Sequence, residues 1–242
     1  MNYFTFNGHS STEFDIRIQK KNTYSSSKRD ITLTAIPGRN GDLVTSNKRF
    51  QNAIVSYSCY VPAKTVEELS DKITAIKNWL YRDIDAYHDL SDSYDPKFVR
   101  KAVFNNKLDI SDEVSKIGTF TVQFSVKPQR YNCGGLVSTR YERATGLVNP
   151  YSLAAKPYIK INGSGDGRLI IQNSAGNKIW SFSSIDEYLI IDSEEMNCYK
   201  GTVLENSKVS GDGFPEFVEG LNTISFDGDI ESIEIKPRWV SL

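Results

Sequence analysis

The sequence predicts a mainly β protein of two domains. The N-terminal domain is predicted to be α+β, a β-sheet or sandwich with one packed helix, and the C-terminal domain is predicted to be a β-sandwich. Apolar and polar residues alternate with a period of two in most patterned segments, which is typical of half-buried strands. Helical spacing occurs in one segment, and aromatic residues, which favour strands and interfaces, make up 12% of the chain.

The first segments of the chain predict strands. Residues 3–6 precede the turn pair Asn7-Gly8, and residues 31–36 alternate with β-branched side chains. From residue 53 to residue 61 every second side chain is apolar. This period places Cys59 on the apolar face of a strand, where a thiol acts as a small inert hydrophobic group.

A helix is predicted from Thr65 to about Tyr81. Thr65 and Glu68 form a capping-box pattern, in which the hydroxyl accepts a backbone N–H at the helix start and the glutamate reaches back. Apolar residues then recur at steps of three and four, which predicts one stripe packed on a sheet. This stripe consists of Val66, Leu69, Ile73, Ile76, Trp79 and Leu80.

Regular patterning stops between Pro128 and Tyr151, and this predicts a domain boundary. The N-terminal domain is expected over residues 1–130, a linker over 131–156 and the C-terminal sandwich over 157–242. Short strands separated by turn signals predict the sandwich.

The turn signals of the second half are rich in glycine. They lie at residues 163–167, 175–177 and 227–229. The first resembles a phosphate-binding loop, but such a loop leads into a helix N-terminus, whereas residues 169–171 continue as a strand. A hairpin turn is therefore predicted there.

Composition and charge exclude several classes of function. The 29 basic and 30 acidic residues give a net charge of −1, which argues against nucleic-acid or acidic-membrane binding by bulk charge. No apolar run approaches the ~20 residues of a membrane helix, and the N-terminus has no pattern of a secretory signal. We therefore expect a soluble protein that is made in a cytoplasm.

No metal centre and no cofactor are predicted. Cys59, Cys133 and Cys198 form no C-x-x-C pair, and the chain has two histidines, so a zinc or dithiol site is not expected. All three cysteines are expected to be unpaired thiols.

No catalytic residue is predicted, and the chain is not expected to be an enzyme. Asp192, Glu194 and Glu195 offer carboxylates, but a glycosidase pair faces across a cleft and usually comes from different elements. His9 and His88 lie in no recognisable nucleophile motif.

Two turn signals in succession predict an exposed arm or sharp corner. Its residues are Pro37, Gly38, Arg39, Asn40, Gly41 and Asp42. Pro37-Gly38 suits the centre of a type II turn, and Asn40-Gly41 suits a tight hairpin. Arg39 at the tip is either a solvated loop residue or a contact to a neighbouring subunit.

An ordered set of segments resembles the distal tail (Dit) proteins of long-tailed siphophages, which are phage tail components. The N-terminal segments are Tyr3-Phe4-Thr5-Phe6-Asn7-Gly8, Ser11, Phe14-Asp15-Ile16, Pro37-Gly38-Arg39-Asn40-Gly41-Asp42-Leu43 and the strand through Tyr57 and Cys59. The C-terminal segments are Ala155-Lys156-Pro157, Gly163-Ser164-Gly165-Asp166-Gly167, Ile191-Asp192-Ser193-Glu194, Phe214-Pro215-Glu216-Phe217, Gly220-Leu221-Asn222 and Pro237-Arg238-Trp239. The resemblance spans nearly the whole chain.

The resemblance implies a structural virion protein at the tip of the phage tail. Members of that family form a six-fold ring between the tail tube protein and the tail-fibre or tail-lysin hub, and so serve host attachment. Their N-terminal domains make the ring, and a galectin-like or carbohydrate-module-like β-sandwich lies outside it. For this chain, the candidate ring contacts are the arm at 37–43, the N-terminal strand and the loop from Asp83 to Asp95.

A glycan-binding module is the alternative function. In it, the C-terminal sandwich would stack sugar rings on Trp180, Tyr188 or Trp239. The competing interpretation of these aromatic residues is packing in the core or at a domain interface. An enzyme acting on cell-wall polymer is disfavoured because paired acids are lacking.

Overall fold

The computed structural model of the chain describes residues 2–83, 85–113 and 116–242. The chain divides into two compact units. The N-terminal unit is Met1–Arg130 with Leu242, and the C-terminal unit is Tyr131–Ser241. Strands dominate both units, so the predicted mainly β, two-domain fold class is confirmed.

The N-terminal unit is built from one α-helix and a set of strands. Their bounds are β1 Phe4–Phe6, β2 His9–Ser10, β3 Arg17–Asn22, β4 Arg29–Thr34, β5 Leu43–Phe50, β6 Ala53–Pro62, α1 Val66–Leu80, β7 His88–Asp92, β8 Phe98–Val103, β9 Ile110–Glu113 and β10 Ile117–Asn132. The main sheet has the order β2-β1-β7-β8-β10-β6-β3, and β9 also pairs with β10. Strands β4 and β5 form a separate two-stranded sheet.

The centre of the main sheet is the antiparallel pair of β6 and β10. Tyr57 lies opposite Val122 and Cys59 opposite Phe120, and all four side chains are buried. The period of two predicted from the sequence is therefore present in both strands. Burial raises the pKa of the Cys59 thiol to about 12, as expected for an inert core residue.

Helix α1 begins and ends where the sequence predicts. Thr65 Oγ1 accepts the backbone N–H of Glu68 at 3.1 Å, as in a capping box. The Glu68 carboxylate reaches back to the N–H of Lys64 at 2.8 Å, one residue before the cap. Four of the six predicted stripe residues are buried and Ile73 is partly buried, but Val66 in the first turn is 61% exposed.

Trp79 attaches the helix to the N-terminal strand. Its ring stacks on Phe14 at a centroid distance of 4.5 Å and on Phe4 at 5.7 Å. Its indole N–H donates to the carbonyl O of Phe6 at 3.0 Å. The polar end of this large side chain is thus satisfied inside the core, where an unpaired donor would be costly.

The C-terminal unit is built from strands and short 3-10 turns. The strands are β11 Thr139–Tyr141, β12 Thr145–Asn149, β13 Tyr158–Asn173, β14 Gly176–Ile185, β15 Tyr188–Asp192, β16 Asn197–Lys200, β17 Val203–Leu204, β18 Val209–Gly211, β19 Gly220–Lys236 and β20 Val240–Ser241. The sheet order is β11-β19-β13-β15-β16-β17, with β12 on β19, β14 on β13 and β18 on β14.

Residues 131–156 do not form the linker expected from the sequence. Strands β11 and β12 both pair with β19, and the whole segment belongs to the C-terminal unit. The N–H of Asn132 also donates to the carbonyl O of Trp239 at 2.9 Å. These strands are short and lie on the border of the sheet, so they carry no periodic pattern that the sequence could show.

The two longest strands run through segments predicted to be turns. Strand β13 continues through residues 163–167, and β19 continues through 227–229. The two strands pair on both sides of these segments, with register shifts at Gly163 and Gly167. The expectation of two turns is therefore wrong: the glycines form irregular bends in continuous strands. Residues 175–177 do lie at the β13–β14 connection, as predicted.

Close approach of the two backbones explains the glycines at the bends. A Cβ on Gly163 would lie 2.2 Å from the carbonyl O of Asp229, and one on Gly228 would lie 2.5 Å from that of Asp166. Bends of this kind let one strand contribute to both layers of a sandwich. Residues before and after the bend, such as Ile159 and Leu169, are buried in the same core.

Replacing Trp79 by Ala should lower the free energy of unfolding by ~3–5 kcal/mol, because a large buried side chain and its hydrogen bond are lost. Thermal or urea unfolding followed by circular dichroism measures this effect. The control is Val66→Ala on the same helix, which should leave the stability nearly unchanged. Equal stability of the Trp79 variant and the parent would contradict the packing described.

Gly163→Ala should destabilise the C-terminal unit by about 1–3 kcal/mol, because the added Cβ meets a backbone oxygen that cannot move alone. Gly146→Ala is the matched control in the same sheet, since its Cβ would meet the flexible end of Leu221 at 3.1 Å. Denaturant unfolding of both variants gives the comparison. If Gly163→Ala proves as stable as Gly146→Ala, the strands do not approach as closely as described.

Candidate assembly surface

The predicted arm is a two-stranded ribbon with a loop at its tip. Strand β4 pairs with β5 so that Leu33 lies opposite Val44 and Thr34 opposite Leu43. The N–H of Arg39 donates to the carbonyl O of Ile36 at 3.1 Å, and Gly38 has φ +79°. This is the type II turn expected around Pro37-Gly38.

The second turn of the arm differs from the expectation. Gly41 has φ +83°, but Asn40 does not have the positive φ that a type I′ hairpin requires. The strands are instead joined by the longer loop 35–42, with Pro37, Gly38, Arg39, Asn40, Gly41 and Asp42 all exposed in it.

One face of the arm is apolar and open to water. Ile31, Leu33 and Val44 are 38%, 56% and 59% exposed. Leu33 and Val44 are directly opposite, and Ile31 is two positions along the same strand, so the three share a face. The other face carries Thr32, Thr34 and Thr45 together with Leu43. A ribbon of two strands is at best marginally stable in water by itself, and exposed apolar patches mark interaction sites.

The two strands of the arm are tied to each other at its base. Arg49 Nε donates to the Asp30 carboxylate at 2.7 Å, and the N–H of Gln51 donates to the carbonyl O of Lys28 at 2.9 Å. The Arg29 guanidinium lies 5.2 Å from the ring centroid of Phe50. These contacts hold the two strands together, while residues 31–49 are exposed throughout.

The N-terminal strand is a poor candidate for a contact surface. Phe4 and Phe6 are 0% and 1% exposed, and β1 lies between β2 and β7 in the sheet. Its expected role in a ring contact is therefore not supported by its position, because the alternating side chains belong to the core.

The segment from Asp83 to Asp95, which was expected to be a loop, contains strand β7 and is tied to the rest of its unit; Ile84 within it lies outside the described residues. The Tyr57 hydroxyl donates to Asp92 at 2.7 Å, and Arg130 pairs with Asp95 at 2.8 Å. Tyr87 is 40% exposed. These contacts give the end of the loop a structural role and leave a small exposed surface before it.

The two histidines make local contacts. His9 Nδ1 lies 2.9 Å from Glu13 Oε2, and His88 Nε2 lies 2.6 Å from the carbonyl O of Asp83. Neither contact brings a nucleophile beside the imidazole. The three cysteines form no disulfide, and Cys59 and Cys198 are buried.

The carboxylates near residue 192 form an ion-pair cluster. Asp192 is 3% exposed and takes both Arg238 Nη1 and Nη2, at 2.6 and 2.8 Å. The Tyr131 hydroxyl donates to Glu194, and the N–H of Glu195 donates to Asp192. Burial opposes the ionised form of Asp192, but the hydrogen bonds from Arg238 and the backbone outweigh it and lower the pKa of the carboxyl.

The aromatic residues proposed for sugar stacking do not share a surface. Trp180 is 1% exposed, and its indole N–H donates to the carbonyl O of Gly213 at 2.8 Å. Trp239 packs on Phe217 with centroids 5.7 Å apart. Tyr188 is half-exposed and flanked by cations, and Trp239 is partly exposed. The core-packing interpretation thus holds for Trp180, and its proposed role in stacking is wrong.

No metal-binding group of three or more His, Cys, Asp or Glu side chains is found within residues 2–83, 85–113 and 116–242. In the same described ranges, no helix is long and apolar enough to cross a membrane.

Comparisons with known proteins relate the N-terminal unit to a known family. Residues 8–126, which carry the arm, match the family of the phage tail protein RIFT-related domain. The N-terminal unit of this chain is therefore similar to a phage tail domain. No protein of curated function matches its sequence.

Solved structures of similar fold extend the likeness to both units. The crystal structure of Dit (gp 19.1) of phage SPP1, described as a paradigm of the hub adsorption apparatus in phages that infect Gram-positive bacteria, has a TM-score of 0.73 at 12% identity and covers 97% of each chain. A chain of the activated, calcium-bound phage P2 baseplate has a TM-score of 0.51 at 8% identity, again over 97% of each chain. The resemblance to distal tail proteins that the sequence predicts is confirmed by the family match of the N-terminal unit and by the fold.

The Asp192–Arg238 pair should stabilise the C-terminal unit. Asp192→Asn should lower the free energy of unfolding by about 3 kcal/mol, because a largely buried guanidinium loses its closest partner and keeps only the longer contact with Glu194. Asp227→Asn, which breaks the exposed pair with Arg168, is the control and should leave the melting temperature unchanged.

The same pair should give a pH-dependent difference. Because the folded pKa of Asp192 is lowered, its contribution is complete above the ordinary aspartate pKa of about 3.9 and is lost as the pH falls through the folded value. The stability gap between parent and Asp192→Asn should therefore shrink in acid. A gap that is constant down to the acid limit of folding would contradict this assignment.

Proposed function

We propose that this tail protein is a distal tail adaptor whose N-terminal units, residues 1–130, close into a homo-hexameric ring. The ring connects the tail tube protein to the tail-fibre or tail-lysin hub and so serves host attachment. The observation that carries the proposal is the arm with its bare apolar face. In this arrangement, residues 157–242 lie at the periphery.

A closed ring needs a heterologous interface, in which one patch of each subunit docks on a different patch of the next. The arm is suited to be the first patch, because its two strands are tied together at the base and it is exposed along its length. A second copy of the chain supplies the opposite patch. Ring closure then covers side chains that the single chain leaves in water.

The apolar face provides more of the docking energy than the arm's tip. Full burial of a side chain such as Leu33 is worth at most about 1.5–3 kcal/mol, while a solvated ion pair is worth under about 1 kcal/mol. Arg39 contributes orientation through a contact with a carboxylate or a backbone carbonyl of the neighbour. The net charge of −1 per chain adds little repulsion when copies assemble.

We also propose that the protein is not an enzyme. Its family is a phage tail domain family, and its neighbours in fold come from a Dit protein and a baseplate. The carboxylates around Asp192 are engaged with Arg238 and with backbone N–H groups. Its partners are therefore other tail components.

Leu33→Asp should abolish ring assembly, because a charge replaces an apolar contact at the interface. The matched control is Thr32→Asp, the neighbouring position on the opposite face of the same strand. Arg39→Glu should weaken the ring without abolishing it. Light scattering gives the mass of each full-length variant, alone and with the tail tube protein, and circular dichroism confirms folding. A Leu33→Asp chain that forms rings like the parent would overturn the proposed interface.

A further inference from the structure

The outer face of four strands in the C-terminal unit is lined by tyrosines and paired charges. The register places Glu234, Lys160, Ile190 and Tyr199 in one row across β19, β13, β15 and β16. Tyr158 lies in the row on one side of this row. Asn162 lies opposite Tyr188 in the row on the other side. We call this surface the tyrosine face; it comprises Tyr158, Lys160, Asn162, Tyr188, Tyr199 and Glu234.

The alternation of the strands shows that this face points away from the core. Ile159 and Ile161, between the named β13 residues, are both 0% exposed, and Cys198 beside Tyr199 is 1% exposed. The six members of the tyrosine face are all half-exposed. The side chains are therefore held in place from below while their outer edges remain accessible.

Cations hold the tyrosine rings. The ammonium groups of Lys160 and Lys200 lie 4.8 and 5.5 Å from the ring centroid of Tyr188. Lys236 Nζ and the Arg238 guanidinium lie 5.2 and 5.6 Å from that of Tyr158. Such contacts orient aromatic rings. The tyrosine side chains therefore lose little conformational entropy when a ligand contacts them.

The polar atoms of the face are partly unused. The phenol hydroxyls of Tyr158, Tyr188 and Tyr199 have no hydrogen-bond partner within the described part of the chain. Asn162 Nδ2 donates to Glu234 Oε1 at 3.3 Å, which leaves the amide oxygen for another donor. Burial raises the pKa of Tyr158 and of Tyr199, so these phenols stay protonated and can donate.

The positive and negative charges on and around the tyrosine face nearly balance. The ion pairs are Lys160–Glu234 at 3.6 Å, Lys200–Asp186 at 2.8 Å, Lys200–Glu187 at 3.2 Å, Arg238–Asp192 at 2.6 Å and Arg238–Glu194 at 3.6 Å. With Lys236 there are four cations and five carboxylates, and 4 − 5 gives −1. Because the local charge is close to zero, an anionic ligand is not attracted to this surface. A neutral ligand with many hydroxyl groups suits it, because the cations can donate hydrogen bonds and the carboxylates can accept them.

We propose that the tyrosine face binds a neutral oligosaccharide of hexose or N-acetylhexosamine units. The outer edges of the Tyr158 and Tyr188 rings supply apolar contacts for the C–H groups of sugars, while Lys160, Asn162 and Glu234 bind hydroxyl groups. A protein partner fits less well, because the centre of a protein interface is apolar and depleted of charge. The site goes beyond ring formation and shares only Tyr188 with the residues expected from the sequence.

Calorimetry with the full-length chain and soluble neutral oligosaccharides, chosen from an array that also carries acidic glycans, tests the proposal. The parent should bind a neutral glycan, and Tyr188→Ala should weaken that binding by about tenfold or more, equivalent to about 1.4 kcal/mol. Tyr24→Ala, an exposed tyrosine of the N-terminal unit, is the control and should not change it.

Tyr188→Phe keeps the ring and removes only the hydroxyl, so it should bind more tightly than Tyr188→Ala and melt like the parent. This variant keeps the test decisive if the alanine variant fails to fold. Ring assembly is followed separately by light scattering, so a failure here is distinct from a failure of the adaptor function. Binding of acidic glycans alone, of no glycan, or equal binding by Tyr188→Ala and the parent would each overturn the proposal.

Discussion

The stack of Trp79 on Phe14 and Phe4 sets the frame of the N-terminal unit. Phe4 in turn stacks on Tyr57 of β6 with centroids 4.6 Å apart, so the helix, the first strand and the centre of the sheet share one aromatic cluster. The arm leaves the sheet after β3 and returns into β6, and these two strands are hydrogen-bonded neighbours. The strands that flank the arm therefore belong to the same core, and the arm beyond them is exposed.

The C-terminal unit meets a different constraint. Its longest strands, β13 and β19, pair on both sides of a bend. The close approach of their backbones at Gly163 and Gly228 is possible only without side chains at these positions. Because of this bend, residues on both sides of it in the same pair of strands pack into one hydrophobic core. Tyr158 and Lys160 of the tyrosine face lie on the same long strand, directly before the bend.

Local sequence signals were sufficient to predict some structural elements and not others. The helix after Thr65 and the alternation around Cys59 were predictable, because helix capping and strand periodicity depend on residues that are close in the sequence. The segment 163–167 was not, because a glycine-rich bend in a strand and a hairpin turn have the same composition, and only the partner strand distinguishes them. The first turn of the arm was predictable from Pro37-Gly38, but the expected hairpin at Asn40-Gly41 is a longer loop. The apolar face of the arm depends on the register of β4 and β5, which the sequence does not show. The tyrosine face joins residues as distant as Tyr158 and Glu234, so no local pattern reveals it.

Hydrogen–deuterium exchange across the arm tests most directly whether its apolar face is covered by a second copy of the chain. Amides on the outer edges of β4 and β5 have no partner strand beyond the ribbon, and amides in weakly stabilised segments exchange fast. The account predicts that residues 29–34 and 43–50 exchange at least about tenfold more slowly in the assembled ring than in the single chain, while α1 is unchanged. Equal exchange of the arm in both states would contradict it.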